Sequence, residues 1–299
     1  MVLNGKKMIL SLFILSVAAL VLAFGVAVIN ITHLGSGVVG LIYIDDVIGA
    51  ESTSSFLSGP RQTFLSQLRS AKHDPQIQAL VLRINSPGGT SGTSQELYNT
   101  ILSIRNQGIP VVVSMGDIAT SGGYYIAAAA DYIYANGSTL TGSIGVIIEF
   151  TSYQELYEKI GIEVQVVKSG IFKDAGNRSR TLTPVEEELF QALIYDSWDQ
   201  FVADVAKGRG LERTMLEPIA DGRILTGRQA LELQLIDELG GLDEALKKAQ
   251  QLADIPGDIP IRTYQTPRSF LDRVLASSLR IINTISIMHQ FPVQLKYQL

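Results

Sequence analysis

IQALVLRINSPGGTSGTSQELYNTILSIRNQGIPVVVSM, residues 77–115, decides the fold class. Ile77–Ile84 is a run of apolar residues of strand length, and Asn85–Gly92 (NSPGGTSG) punctuates it with paired glycines. In Thr93–Asn106, Leu97, Ile101 and Ile104 recur at helical spacing, and Thr93 with Glu96 has the form of a capping box. Val111–Met115 is a second apolar run. A strand, a helix and a strand within about forty residues predict an α/β fold with much parallel sheet.

The same alternation extends both ways. Upstream, Val38–Ile44 reads as a strand, and Pro60–Lys72 as a helix with Phe64, Leu65 and Leu68 on one face. Downstream, Ser121–Ala130 reads as a helix of small residues, Tyr132–Ala135 as a strand and Ile144–Ile148 as another. Tyr153–Ile160 is an expected helix and Glu163–Val167 an expected strand. Thr183 followed by Pro184 marks the start of a long helix reaching about Lys207, ahead of Gly208. Thr226–Leu233 and Leu242–Leu252 are shorter helices, and Ser269–Ile285 has the apolar spacing of an amphipathic one.

Met8–Ile29 is almost wholly apolar, and no charge occurs between Met8 and Thr32. About 20 such residues cross a bilayer. Lys6 and Lys7 precede the stretch and no Lys or Arg follows until Arg61, which places the N-terminus in the cytoplasm and the rest outside. A cleaved signal peptide, with Ala23 and Gly25 near the cut, is the competing reading, but its apolar core spans only about 7–15 residues. The net charge of −5 carries no basic footprint, so no nucleic-acid partner is expected. The absence of cysteine removes disulfides and thiolate chemistry. His33, His73 and His289 match no metal-ligand spacing, and neither metal nor cofactor is expected.

Two glycine-rich turns follow strands. Asn85–Gly92 lets backbone amides approach a ligand closely, as an oxyanion or phosphate needs, or simply turns the chain. In the second, ATSGGYY (119–125), Ser121 stands at a helix N-terminus, where a cap and a nucleophile are both at home. A serine nucleophile needs a base. No histidine lies between His73 and His289, and His73-Asp74 sits in a polar connection. Lysine remains, with Lys168 and Lys173 in VKSGIFKD (167–174) as candidates. A free lysine titrates near 10.4, so its neutral form costs about 4–5 kcal/mol at pH 7 unless an apolar site lowers that cost. Lys173 follows Ile171-Phe172.

Taken in order, SPGG (86–89), ATSGGYY (119–125), TGSIGV (141–146) and KSGIFKD (168–174) resemble the SppA/protease IV family of signal peptide peptidases, over about Val38 to Gln251. The resemblance implies a Ser/Lys dyad of Ser121 and Lys173, with Ser143 orienting the lysine and the amides of Gly88 and Gly122 as oxyanion donors. It implies the spiral fold shared with Clp protease and crotonase. It also implies a homo-oligomeric ring, in which the lysine acts either within its own chain or from a neighbouring one, and remnant signal peptides or other apolar peptides as substrates. The chain carries one copy of the motif set, as in the family's short single-domain form. The expected division is a cytoplasmic N-terminus (1–7), a transmembrane anchor (8–30), an extracytoplasmic peptidase domain (31–266) and a C-terminal amphipathic helix with tail (267–299). The rivals are a Clp-like Ser-His-Asp protease, a crotonase-like acyl-transfer enzyme using Asp117, Glu149 or Asp174, and an inactive membrane scaffold.

Overall fold

The computed structural model describes residues 37–49 and 63–264, together with the isolated helical positions Ser16, Ala18 and Leu20. Apart from those three positions the anchor expected over 8–30 lies outside the described residues, as does the helix expected over Ser269–Ile285. Among the described residues, no helix is long and apolar enough to cross a membrane.

One eight-stranded sheet organises the domain. β1 (Val38–Asp45), β2 (Ile77–Ser86) and β3 (Val111–Thr120) lie side by side and parallel at its centre. The connections are α1 (Phe64–Lys72), between β1 and β2, and α2 (Ser91–Arg105), between β2 and β3. After β3 come α3 (Gly122–Ala127), β4 (Tyr132–Ala135) and β5 (Leu140–Gly142). α4 (Gln154–Ile160), the long α5 (Pro184–Arg209) and α6 (Arg213–Leu216) follow. Then come β6 (Ile224–Thr226), α7 (Gly227–Glu232), β7 (Glu238–Leu239), α8 (Leu242–Leu252) and β8 (Ile261–Thr263). β8 extends the sheet beyond β1, parallel to it, while β6 closes the other edge antiparallel to β5.

The central strands are apolar throughout because both faces are covered. Leu80, Leu82 and Ile84 of β2 and Val111, Val113 and Met115 of β3 pack with Leu97, Ile101, Val202 and Val205 from α2 and α5. The alternate residues, Ala79, Val81 and Val112, pack on Ala245, Leu246 and Ala249 of α8. Each fully buried branched side chain contributes about 1.5–3 kcal/mol of apolar burial. The mixed α/β sheet with parallel centre is as the sequence implied.

Several elements depart from expectation. α2 begins at Ser91, with Thr90 rather than Thr93 at its cap. Glu96 does not close a capping box there but pairs with Arg69 of α1 at 3.0 Å. α1 is capped by Thr63, whose Oγ1 accepts from Ser66 N. Ile144–Ile148 and Glu163–Val167 form no strand. Their alternating apolar residues have the strand period, but a strand also needs an adjacent edge, and β6 already occupies the one beside β5. β5 to β8 are two or three residues long, below what periodicity detects.

β3 is the element that aims the site. Its first half pairs with β4 at Val112–Ser114, and its second half with β5 at Ile118–Thr120. Between the halves the register against β2 jumps, from Ile84 opposite Met115 to Ser86 opposite Ala119. The Asn85 side chain fills the break, its Oδ1 accepting from the amides of Asp117 (3.0 Å) and Ile118 (3.2 Å).

α5 in turn braces α3. Tyr125 OH donates to Asp204, its ring stacks on Phe201 at 4.5 Å between centroids, and Gly208 lies directly against the Ala128 carbonyl. A Cβ at position 208 would overlap that oxygen. Gly208→Ala is expected to destabilise the domain by about 1–3 kcal/mol, read as a lowered Tm, whereas an alanine at Gly137, where a Cβ meets open space, should leave Tm nearly unchanged.

Candidate active site

Ser121 stands where β3 turns into α3, with φ 53° and ψ −120°. A non-glycine residue there costs on the order of 1–3 kcal/mol and persists only where its surroundings hold it. Those surroundings are visible. Ser121 N donates to Gly142 O at 2.9 Å, and Thr120 pairs with Gly142 across β3 and β5. From the other side the Asn85–Gly92 turn is pressed against the bend. A Cβ on Gly88, whose φ is 107°, would lie 2.8 Å from Gly122 N and 2.9 Å from the Ser121 Cβ. A Cβ on Gly122 would overlap Ser94 Oγ and lie 3.2 Å from Gly89 N. Only glycine fits at these places, which explains the paired glycines of both turns.

Four of the five residues singled out by sequence thus converge: Ser121, Gly122, Gly88 and Ser143. Ser143 follows Gly142 directly, has φ 52°, and donates its amide to Arg223 O at 2.8 Å. The turn holding it is itself fastened, since Arg223 donates from Nε and Nη2 to the Asp221 carboxylate at 2.8 and 2.7 Å. These bonds hold the Asp221 carboxyl down at about 2.

The Gly88 amide donates to Ser86 Oγ at 3.2 Å, and Ser86 Oγ donates to Asp46 O at 2.5 Å. Ser86 is fully buried and acts as a peg that fixes the turn. The next amide, on exposed Gly89, lies beside Gly122. Sequence reasoning did not single out Gly89, Ser94, Asn85 or Ser86. Only the presence of SPGG and the small residue Ser94 signalled them.

Lys173 lies elsewhere, exposed in the turns between residues 170 and 176, with its amide donating to Gly170 O at 3.1 Å. Among the described residues no hydrogen bond links it to Ser121. Lys168 is engaged: its Nζ reaches Asp174 Oδ1 at 2.5 Å and Ile171 O at 3.0 Å. Arg180 joins Asp174 (3.1 Å) to Glu186 (2.6 Å). Glu186 is buried and completes the capping box of α5 with Thr183. The Arg180 guanidinium and the Thr183 amide hold its carboxyl down at about 2.

The other candidates are occupied or peripheral. His73 ends α1. Asp74 accepts from Tyr264 OH at 2.7 Å and from Arg262, which together hold its carboxyl below the usual range. Asp117 is exposed at the β3 break and Glu149 on the loop after Ser143. His289 lies outside the described residues.

The family model for peptidase family S49 matches residues 103–256. The protein slr0021 of Synechocystis sp., named as a protease, is 42% identical over 75% of this chain and 80% of its own length. The chain belongs to peptidase family S49. It is a serine peptidase, and its relatives include proteins named for signal peptide peptidase activity. SppA of Enterococcus faecium is 38% identical over 64% of this chain, and Protease 4 of Haemophilus influenzae 34% identical over 73%. The matches span only 57% and 35% of those two proteins. A solved structure of the 1510-N membrane-bound stomatin-specific protease, a lysine-to-alanine mutant with a substrate peptide, covers 82% of this chain and 99% of its own, with a TM-score of 0.49 and 17% identity.

For this S49 peptidase the crowding at position 122 has a direct consequence. Gly122→Ala is expected to lower kcat/KM by about a hundredfold through displacement of the bend, and Ser94→Gly in the same chain should recover part of the loss by vacating the space the methyl needs. A second expectation concerns acid. Because the Glu186 carboxyl is depressed, its stabilisation is complete above the ordinary carboxylate range and fades as pH falls toward about 2. The Tm gap between wild type and Glu186→Gln should therefore be wide at pH 7 and narrow steadily below about pH 4.5.

Proposed function

We propose that this chain is a membrane-anchored serine endopeptidase of the Clp/crotonase-like spiral fold, in which Ser121 is the nucleophile and Lys173 the base. The observation that carries this reading is the strained bend at Ser121, against which Gly88 and Gly122 are packed too closely for a side chain at either place. Neutral Lys173 takes the Ser121 proton as Oγ attacks a peptide carbonyl. The Gly122 amide and one from the SPGG turn hold the oxyanion: Gly88's after it releases Ser86 Oγ, or Gly89's as it stands. The lysine ammonium then protonates the leaving amine. Water, deprotonated by the same lysine, hydrolyses the acyl-enzyme and restores Ser121. Ser143 orients the lysine from its place beside Gly142.

The lysine comes from a neighbouring copy in a homo-oligomeric ring. Two features support this. Lys173 has no bond to Ser121 in the single chain, and the arm that carries it exposes Ile147, Ile160, Val164, Val167 and Ile171. So much exposed apolar surface is characteristic of an interface. Remnant signal peptides and other apolar peptides are the substrates, in keeping with the names of the relatives. The anchor holds the domain on the extracytoplasmic face, near them.

Ser121→Ala and Lys173→Met are both expected to be folded and inactive on a signal-peptide-like substrate. Mixing the two inactive proteins should restore activity, since mixed rings place an intact serine beside an intact lysine. Full activity of Ser121→Ala overturns the scheme, and failure of the mixture with both singles inactive places the lysine within one chain.

A further inference from the structure

Asp174 is next to Lys173 in the chain, and an uncompensated carboxylate beside an ammonium favours the charged form, by about 1–3 pH units at contact distance. A base that must lose its proton is poorly served by such a neighbour. Yet the Asp174 side chain is only 11% exposed and fully committed elsewhere. Oδ1 accepts from Lys168 Nζ at 2.5 Å and lies 3.1 Å from Arg180 Nη2, while Oδ2 accepts from Arg180 Nε at 3.3 Å. Arg180 is fixed in turn by Glu186, whose two oxygens accept from Nη1 and Nη2 at 2.7 and 2.6 Å. Glu186 is tied to the start of α5 through the Thr183 amide at 2.9 Å.

We infer that Lys168, Arg180 and Glu186 form a positioning network that sequesters the Asp174 carboxylate from Lys173 and so keeps Lys173 free to act as a base. The inference rests on the reading of Lys173 as that base. It gives Lys168 a role of its own: a cation that occupies Asp174. The alternating chain Lys168–Asp174–Arg180–Glu186 sums to zero charge, so each carboxylate in it is matched by a cation. Arg178, five residues after Lys173, lies over the Tyr153 ring, its guanidinium carbon 6.0 Å from the centroid. The network also pins the exposed arm to α5, whose far half braces the Ser121 helix through Asp204 and Gly208. The same helix thereby braces both the Ser121 bend and the arm that carries Lys173.

The test is the pH dependence of kcat/KM on an apolar peptide, measured with the full chain for Lys168→Met and for Arg180→Gln, with Tm recorded for each. Both variants should move the rising limb of the profile to higher pH by about one unit. Adding Asp174→Asn to either should return the limb to the wild-type position, although it repairs no ion pair. Arg180→Gln leaves buried Glu186 without its cation; if that variant does not fold, Lys168→Met and its Asp174→Asn combination carry the test. An unshifted limb in folded Lys168→Met, with Lys173→Met inactive, overturns the inference and leaves the dyad standing. Inactive Lys168→Met with active Lys173→Met overturns the dyad assignment itself. A shift that Asp174→Asn fails to reverse shows that the network acts on folding alone, and also overturns the inference.

Discussion

The closest approach in the molecule that matters to its chemistry is between two turns. The Asn85–Gly92 turn and the bend at Ser121 come so near that no side chain fits between Gly88 and Gly122. That proximity requires β2 and β3 to be neighbours in the sheet. It requires β3 to outrun β2 by a local jump in register, with Asn85 supplying the hydrogen bonds that the ladder loses there. It also requires the bend to be held in a conformation that serine does not favour, by the Gly142 carbonyl on one side and the glycine turn on the other. The two-sided apolar core gives the sheet the rigidity to bear that strain, since packed interiors resist small displacements.

The molecule divides its labour physically. The serine side is built on buried, parallel, doubly covered strands and on an α3 whose Tyr124 OH donates to Leu235 O within the core. The lysine side is an arm from about residue 146 to 183 that contributes little to that core and is shaped by local turns and ion pairs. Burial and charge therefore act in different places: burial fixes the bend at Ser121, and charge pairing fixes the segment that carries Lys173.

Much of this was legible from residues alone, because several signals are local. The central strands announced themselves by continuous apolar runs, α5 by Thr183-Pro184, and the two turns by paired glycines. The misreadings share a cause as well. Ile144–Ile148 and Glu163–Val167 were read as strands, but pairing is a property of two segments, and the edge beside β5 is taken by β6. The cap of α2 moved from Thr93 to Thr90 because the preceding turn is shorter than its glycines suggest, which left Glu96 to pair with Arg69 on another helix.

By itself the sequence determined the class of fold, the glycine turns and the small set of residues able to act in acyl transfer, because periodicity, steric permissiveness and side-chain chemistry reside in single segments. Tertiary structure alone decided that Gly88, Ser121, Gly122 and Ser143 meet at one point, that Ser86 and Ser94 crowd it, and that Lys168 is bound to Asp174 while Lys173 is not. Those outcomes depend on register, close approach and competition between charges, which exist only once distant segments share the same space.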